Sequence, residues 1–126
     1  MLKKVVVTGL AAITPIGNDL ETSWDNLVAG TPGPAPITQF DTSDFGTKFA
    51  AEVKGFNARD YMDAKRAKRM ERFCHFAVAT TDMLLKHADF AITEEEASRI
   101  GVVLGCGMGS IDCLERNQLK MIKGGP

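Results

Sequence analysis

The chain has 126 residues, 44% hydrophobic and 25% charged, a length and balance suited to one ordinary folded domain rather than a disordered segment. Fifteen Lys and Arg stand against 16 Asp and Glu for a net charge of −1, which excludes a generic nucleic-acid binder with a strongly basic balance. No apolar stretch approaches the roughly 20 residues of a membrane span.

Near the N-terminus, Lys3 to Thr8 carries three consecutive valines and predicts a buried strand. Its apolar run breaks at Thr8-Gly9 and again at Pro15, unlike the roughly 7–15 apolar residues of a signal peptide, so a cytoplasmic protein is expected. The loop Gly9 to Gly17 leads to Asn18, which with Glu21 resembles a capping box and predicts a helix start. Leu20, Trp24, Leu27 and Val28 form the apolar stripe of that helix, and Gly30 is its stop.

Thr31 to Phe45 holds Pro32, Pro34 and Pro36 and has no helical period. Its Ile37, Phe40 and Phe45 suit an ordered surface excursion better than a solvated linker. Lys48 to Val53 predicts a short edge strand, and Asn57 with Asp60 suggests the cap of a short helix bearing Tyr61 and Met62.

Ala64 to Ala88 is the longest periodic segment, with Met70, Phe73, Ala77, Thr81, Leu84 and Leu85 at helical spacing. It opens with Lys65, Arg66, Lys68, Arg69 and Arg72 against a single Glu71. Cations in a first turn are opposed by the helix dipole, so stability alone does not account for them. A solvated face is the ordinary meaning of a charge run; the opposed dipole favours a docking patch for an acidic partner.

Thr93 with Glu96 caps a short helix to about Ser98, and Ile100 to Leu104 predicts a second strand. That strand enters the turn Gly105-Cys106-Gly107-Met108-Gly109-Ser110, after which Ser110 caps a final helix carrying Ile111, Leu114, Met121 and Ile122. Strand, helix, helix and strand in alternation predict α/β layers around a parallel sheet. With only two clear strands, the architecture is incomplete in this chain.

Neither glycine turn fits a nucleotide loop. Gly9 and Gly17 are too far apart, and Ser110 replaces a third glycine with no lysine following. A dehydrogenase is therefore not expected. For the second turn two meanings stay open: tight packing, or projection of Cys106, Met108 and Ser110 into a ligand space above the strand ends. The three cysteines, Cys74, Cys106 and Cys113, lack CxxC spacing, against a disulfide scaffold or zinc site. Cys74 and His75 are adjacent on a helix, pointing about 100° apart, so a nucleophile–base pair is not expected. His87, near its helix C-terminus, complements the dipole.

Taken in order, VVVTGLAAITPIGN, TSWDNLVAG, ITQFDTSDFGTKFAAEVKGF, KRAKRMERF, RIGVVLGCGMGS and KGGP resemble the N-terminal part of β-ketoacyl-acyl-carrier-protein synthases of the type II elongating kind. The resemblance implies a thiolase-type fold, layered αβαβα. Residues 1–126 would form the N-terminal portion of its first half, with a surface excursion at about 31–56 and no second domain. It also implies a homodimer in cytoplasmic fatty acid synthesis, performing a decarboxylative Claisen condensation between an acyl-cysteine and a malonyl-carrier. The family's cysteine nucleophile and two catalytic histidines would lie beyond residue 126, so no catalytic residue, metal or cofactor is expected here. Lys65, Arg66, Lys68 and Arg69 match the basic helix that docks acyl carrier protein. Gly107 and Met108 match the turn lining the acyl pocket, where Ile is common. A chain-length-factor-like, non-catalytic partner of the same fold, or a polyketide-type ketosynthase, remains the alternative.

Overall fold

A computed structural model describes residues 3–125 of the chain. It forms two compact units, Met1–Asn57 with Thr80–Phe90, and Ala58–Ala79 with Ala91–Pro126.

The first unit is organised by a tight turn fastened to helix α1 (Leu20–Val28). Thr14 and Gly17 exchange backbone hydrogen bonds of 2.7 and 3.2 Å. The Ser23 hydroxyl lies 3.0 Å from Thr14 Oγ1 and 3.1 Å from the Gly17 carbonyl, and Asn26 donates to the Ile16 carbonyl at 2.6 Å. Gly17 is required by this closeness, because a Cβ there would stand 2.5 Å from the Ser23 nitrogen. The glycine thus serves packing against α1.

The helix cap is Asp19, one residue beyond the expected Asn18. Asp19 takes the Thr22 N–H at 2.7 Å and the Thr22 hydroxyl at 2.8 Å, while Asn18 instead donates to the Lys54 carbonyl at 2.9 Å. A carboxylate at a helix N-terminus also meets the favourable end of the dipole. The expected apolar stripe is not covered: Trp24, Leu27 and Val28 are exposed, and α1 buries Ser23.

Within the excursion, β1 (Ala35–Pro36) pairs antiparallel with β2 (Phe49–Ala50). The edge strand expected at 48–53 is thus realised as a two-residue ladder, extended by the Ile37 N–H to Lys48 carbonyl bond of 3.1 Å. Glu52 receives the Thr38 hydroxyl at 2.7 Å and the Thr38 N–H at 3.1 Å. Phe40 and Phe45 meet edge to face at 5.4 Å.

In the second unit a 3₁₀ turn, Ala58–Asp60, leads to α2 (Ala64–Arg69), capped by Asp63 through the Arg66 N–H at 2.9 Å. The continuous helix expected from 64 to 88 is broken. Met70 is extended, with φ −104° and ψ 149°, and α3 (Arg72–His87) begins after Glu71, whose carbonyl accepts the Cys74 and His75 N–H groups. A short helix leaves its last carbonyls without helical partners, and His75 Nε2 supplies one to Ala67 at 2.8 Å. The expected core face is not the one α3 buries: Thr81 and Leu84 on that stripe are exposed, whereas Ala79, on the opposite side at about 100° per residue, is fully buried. Helices α4 (Glu94–Ala97) and α5 (Ile111–Gly124) start at Thr93 and Ser110 as expected, each capped by its hydroxyl.

The two predicted strands do not form. Residues 3–8 and 100–104 carry no ladder, and the described residues hold a single two-stranded sheet. Val5 is 94% and Val103 99% exposed. Both segments keep their strand propensity, but a strand exists only with a neighbour to take its N–H and C=O groups. Buried hydrophobic residues are limited to Met62 and Ala79 among those described.

Gly17→Ala should cost about 1–3 kcal/mol by forcing a methyl group against backbone. Gly46→Ala, with nothing within 4 Å of its added Cβ, should stay within about 0.5 kcal/mol of the parent; urea midpoints compare them. A hydrophobic dye should bind the native chain with clear fluorescence enhancement, as its exposed valines, leucines and Trp24 require; a flat titration would contradict this surface.

Candidate functional site: a basic helix and a glycine turn

All four sequence-nominated cations, Lys65, Arg66, Lys68 and Arg69, lie on α2, with Lys65, Arg66, Lys68 and Arg69 each exposed. None makes an ion pair among the described residues. The break at Met70 changes what their placement means. Arg66, Lys68 and Arg69 fall in the last turn of a six-residue helix, where the dipole favours cations. The expected opposition between dipole and charge is therefore confined to Lys65, in the first turn; what distinguishes the cluster is exposure and lack of carboxylate partners among the described residues.

The second nominated element, the turn 105–109, lies open. No neighbouring atom stands within 4 Å of a Cβ placed on Gly105, Gly107 or Gly109. Close packing thus does not explain these glycines among the described residues, although Gly109 has φ 65°, which favours glycine. Met108 is 80% exposed. Two cavities of about 350 and 480 Å³ are lined, respectively, by Thr14 to Asp19 with Thr22 and Lys54, and by Leu10, Leu20, Glu21, Trp24 and His87. Neither includes Gly107 or Met108.

No hydrogen bond joins a cysteine to a histidine among the described residues. His75 turns to the Ala67 carbonyl, and since a carbonyl only accepts, its Nε2 carries the proton. Cys106 Sγ accepts the Gly109 N–H at 3.3 Å, and Cys113 Sγ the Asn117 amide at 3.4 Å. The dipole role expected of His87 gives way to another: its Nδ1 accepts the Leu10 N–H at 3.2 Å, which needs that nitrogen unprotonated. No group of three potential metal ligands gathers among the described residues, and no described helix is long and apolar enough to cross a membrane.

One polar cluster is not expected from sequence, although it includes Ser110, whose hydroxyl turns to Glu71. Glu71 accepts the Ser110 hydroxyl at 2.9 Å and Arg116 Nη2 at 2.7 Å, and Arg116 Nη1 reaches Asp112 at 3.2 Å. The Ser110 hydrogen bond, then the Arg116 charge, hold the Glu71 carboxyl below its ordinary value. Asp112, then Glu71, raise the Arg116 value. Asp112 and Arg116 are four apart on one helix and so legible as a pair; Glu71 is 39 residues from Ser110 and leaves no sequence signal.

Residues 2–124 match the model of the β-ketoacyl synthase N-terminal domain. The chain belongs to the β-ketoacyl synthase family. Among its relatives, the 3-oxoacyl-[acyl-carrier-protein] synthase 2 of Synechocystis sp. is 48% identical over 124 residues, and that of Vibrio cholerae 40% identical over 124 residues. Each alignment covers 98% of this chain and 30% of the relative. The solved ishigamide ketosynthase/chain length factor superposes with TM-score 0.76 at 29% identity, over 95% of this chain and 30% of that one. The chain therefore has a ketosynthase-type fold over a span equal to 30% of these synthases' length. That kinship gives the missing ladders a context: the exposed valine segments belong to a family in which these relatives are far longer than this span.

Because the Glu71 carboxyl titrates below its unfolded value, its stabilising contribution is complete above the ordinary 4.5 and is lost as pH falls through the depressed folded value. Between pH 7 and pH 4, Glu71→Gln should lose less urea stability than the parent; equal losses would contradict the linkage.

Proposed function

We propose that the chain serves a 3-oxoacyl-[acyl-carrier-protein] synthase, supplying its carrier-docking helix and part of its acyl pocket. Such an enzyme is an acyltransferase. It moves an acyl group from carrier to a cysteine and joins it to the carbanion released when malonyl-carrier loses carbon dioxide, lengthening a fatty acid. The reading extends to a cytoplasmic homodimer with a layered thiolase-type fold.

The observation that carries docking is the set of four exposed cations on α2 without ion-pair partners among the described residues. An acidic carrier approaching that helix meets charges whose hydration is intact and whose bonds are not already spent within the chain. Long-range attraction speeds the encounter and weakens with salt. In this reading Met108, exposed beside Gly107, offers a flexible thioether side chain to an acyl tail; its exposure is compatible with that role. The names of the relatives, 3-oxoacyl-[acyl-carrier-protein] synthases, support the choice of partner.

Replacing Lys65, Arg66, Lys68 and Arg69 together by Ala should weaken binding of acyl carrier protein roughly tenfold or more at low ionic strength, since exposed pairs contribute about 0.2–1 kcal/mol each. The difference should shrink with added salt. Equal affinity of parent and variant at low salt, by titration calorimetry or surface plasmon resonance, would sink the docking assignment.

A further inference from the structure

The extended residue at Met70 separates α2 from α3, so the basic helix is not simply the first turns of a longer rod. The next residue, Glu71, sends its carboxylate to the other end of the second unit's sequence. One oxygen accepts the Ser110 hydroxyl at 2.9 Å and the other Arg116 Nη2 at 2.7 Å. Ser110 is simultaneously the cap of α5, accepting the Cys113 N–H at 3.1 Å. A hydroxyl has a single proton to donate, and here it is given to Glu71. The Arg116 guanidinium holds the arrangement from its second side, spanning Glu71 and Asp112.

Ser110 also ends the glycine turn. Because no neighbouring atom approaches the Cβ positions of Gly105, Gly107 or Gly109, side packing does not fix that turn. Its C-terminal end is fixed by what holds Ser110. Charge-assisted hydrogen bonds are short and directional, so a displacement at the end of α2 either carries Ser110 with it or breaks the bond. The bond thus joins the end of the basic helix to the end of the turn.

We propose that Glu71 is a positioning residue that couples occupancy of the basic helix α2 to the conformation of the 105–109 turn, so that carrier docking is felt where the acyl chain would lie. The proposal rests on the docking reading above. It adds a residue that touches neither partner nor acyl group and acts through Ser110.

The test follows backbone amides of the full ¹⁵N-labelled chain by NMR as acyl carrier protein is added at low ionic strength. In the parent, amides of 65–69 and of 105–109 should shift together along one binding curve. In Glu71→Gln the 65–69 response should persist while the 105–109 response falls at least threefold, and Glu71→Asp should restore more than half of it. Ser110→Ala severs the same link from the other end and should reproduce the loss. It also serves if Glu71→Gln does not fold, with circular dichroism reporting helix content in each variant. A full-size turn response in either folded variant overturns the coupling. A parent whose 65–69 amides stay silent overturns the docking reading, and the coupling with it. Responses at 65–69 without any at 105–109 in the parent overturn the coupling alone.

Discussion

An extended segment has to hand its N–H and C=O groups to a neighbour, and this requirement governs the whole chain. Residues 3–8 and 100–104 are built for strands and have no ladder among the described residues, so the usual source of burial in an α/β protein is missing. Local polar contacts take over. In the first unit, the Thr14–Gly17 turn is locked to α1 by Ser23 and Asn26. In the second, Asp63, Ser110 and Glu71 hold helix ends. Such bonds contribute about 0.5–1.5 kcal/mol each, whereas a buried Leu or Val contributes about 1.5–3. The structure is therefore strongest where hydroxyls and carboxylates meet backbone, and weakest where the sequence is most apolar.

What is legible in advance follows the range of the interaction. Caps depend on three or four consecutive residues, and those at Thr93 and Ser110 can be read directly. Asn18 and Asp19 are adjacent and both competent, and the choice between them is made by Lys54, whose carbonyl takes the Asn18 amide. Helical spacing from Phe73 to Leu85 is legible too, but not which side is covered, since the buried Ala79 lies off that stripe. Periodicity counts side-chain directions and is blind to a single extended residue, so it passes over Met70. Strand propensity is visible in the valines, but pairing belongs to two segments rather than one. The basic patch is plain from composition. Its expected conflict with the helix dipole shrinks to Lys65, because a helix that stops at Arg69 places Arg66, Lys68 and Arg69 in its last turn.

The patch and the turn also show how family kinship and local chemistry divide the labour. Kinship over 98% of the chain places it among β-ketoacyl synthases. It does not explain why Glu71 sits between an exposed basic helix and the cap of α5. That explanation comes from geometry: one carboxylate receiving a hydroxyl and a guanidinium within 2.9 Å.

The bare IGVVL segment has a consequence of a different kind. It is short, uncharged, rich in β-branched residues and free of proline, the composition of a steric-zipper core. Its backbone groups, outside any ladder, can pair with a strand from another molecule. Association through such a segment depends on concentration and encounter frequency as well as on folding free energy. Lower concentration acts on that encounter directly, whereas added stability elsewhere in the chain leaves the segment as exposed as before.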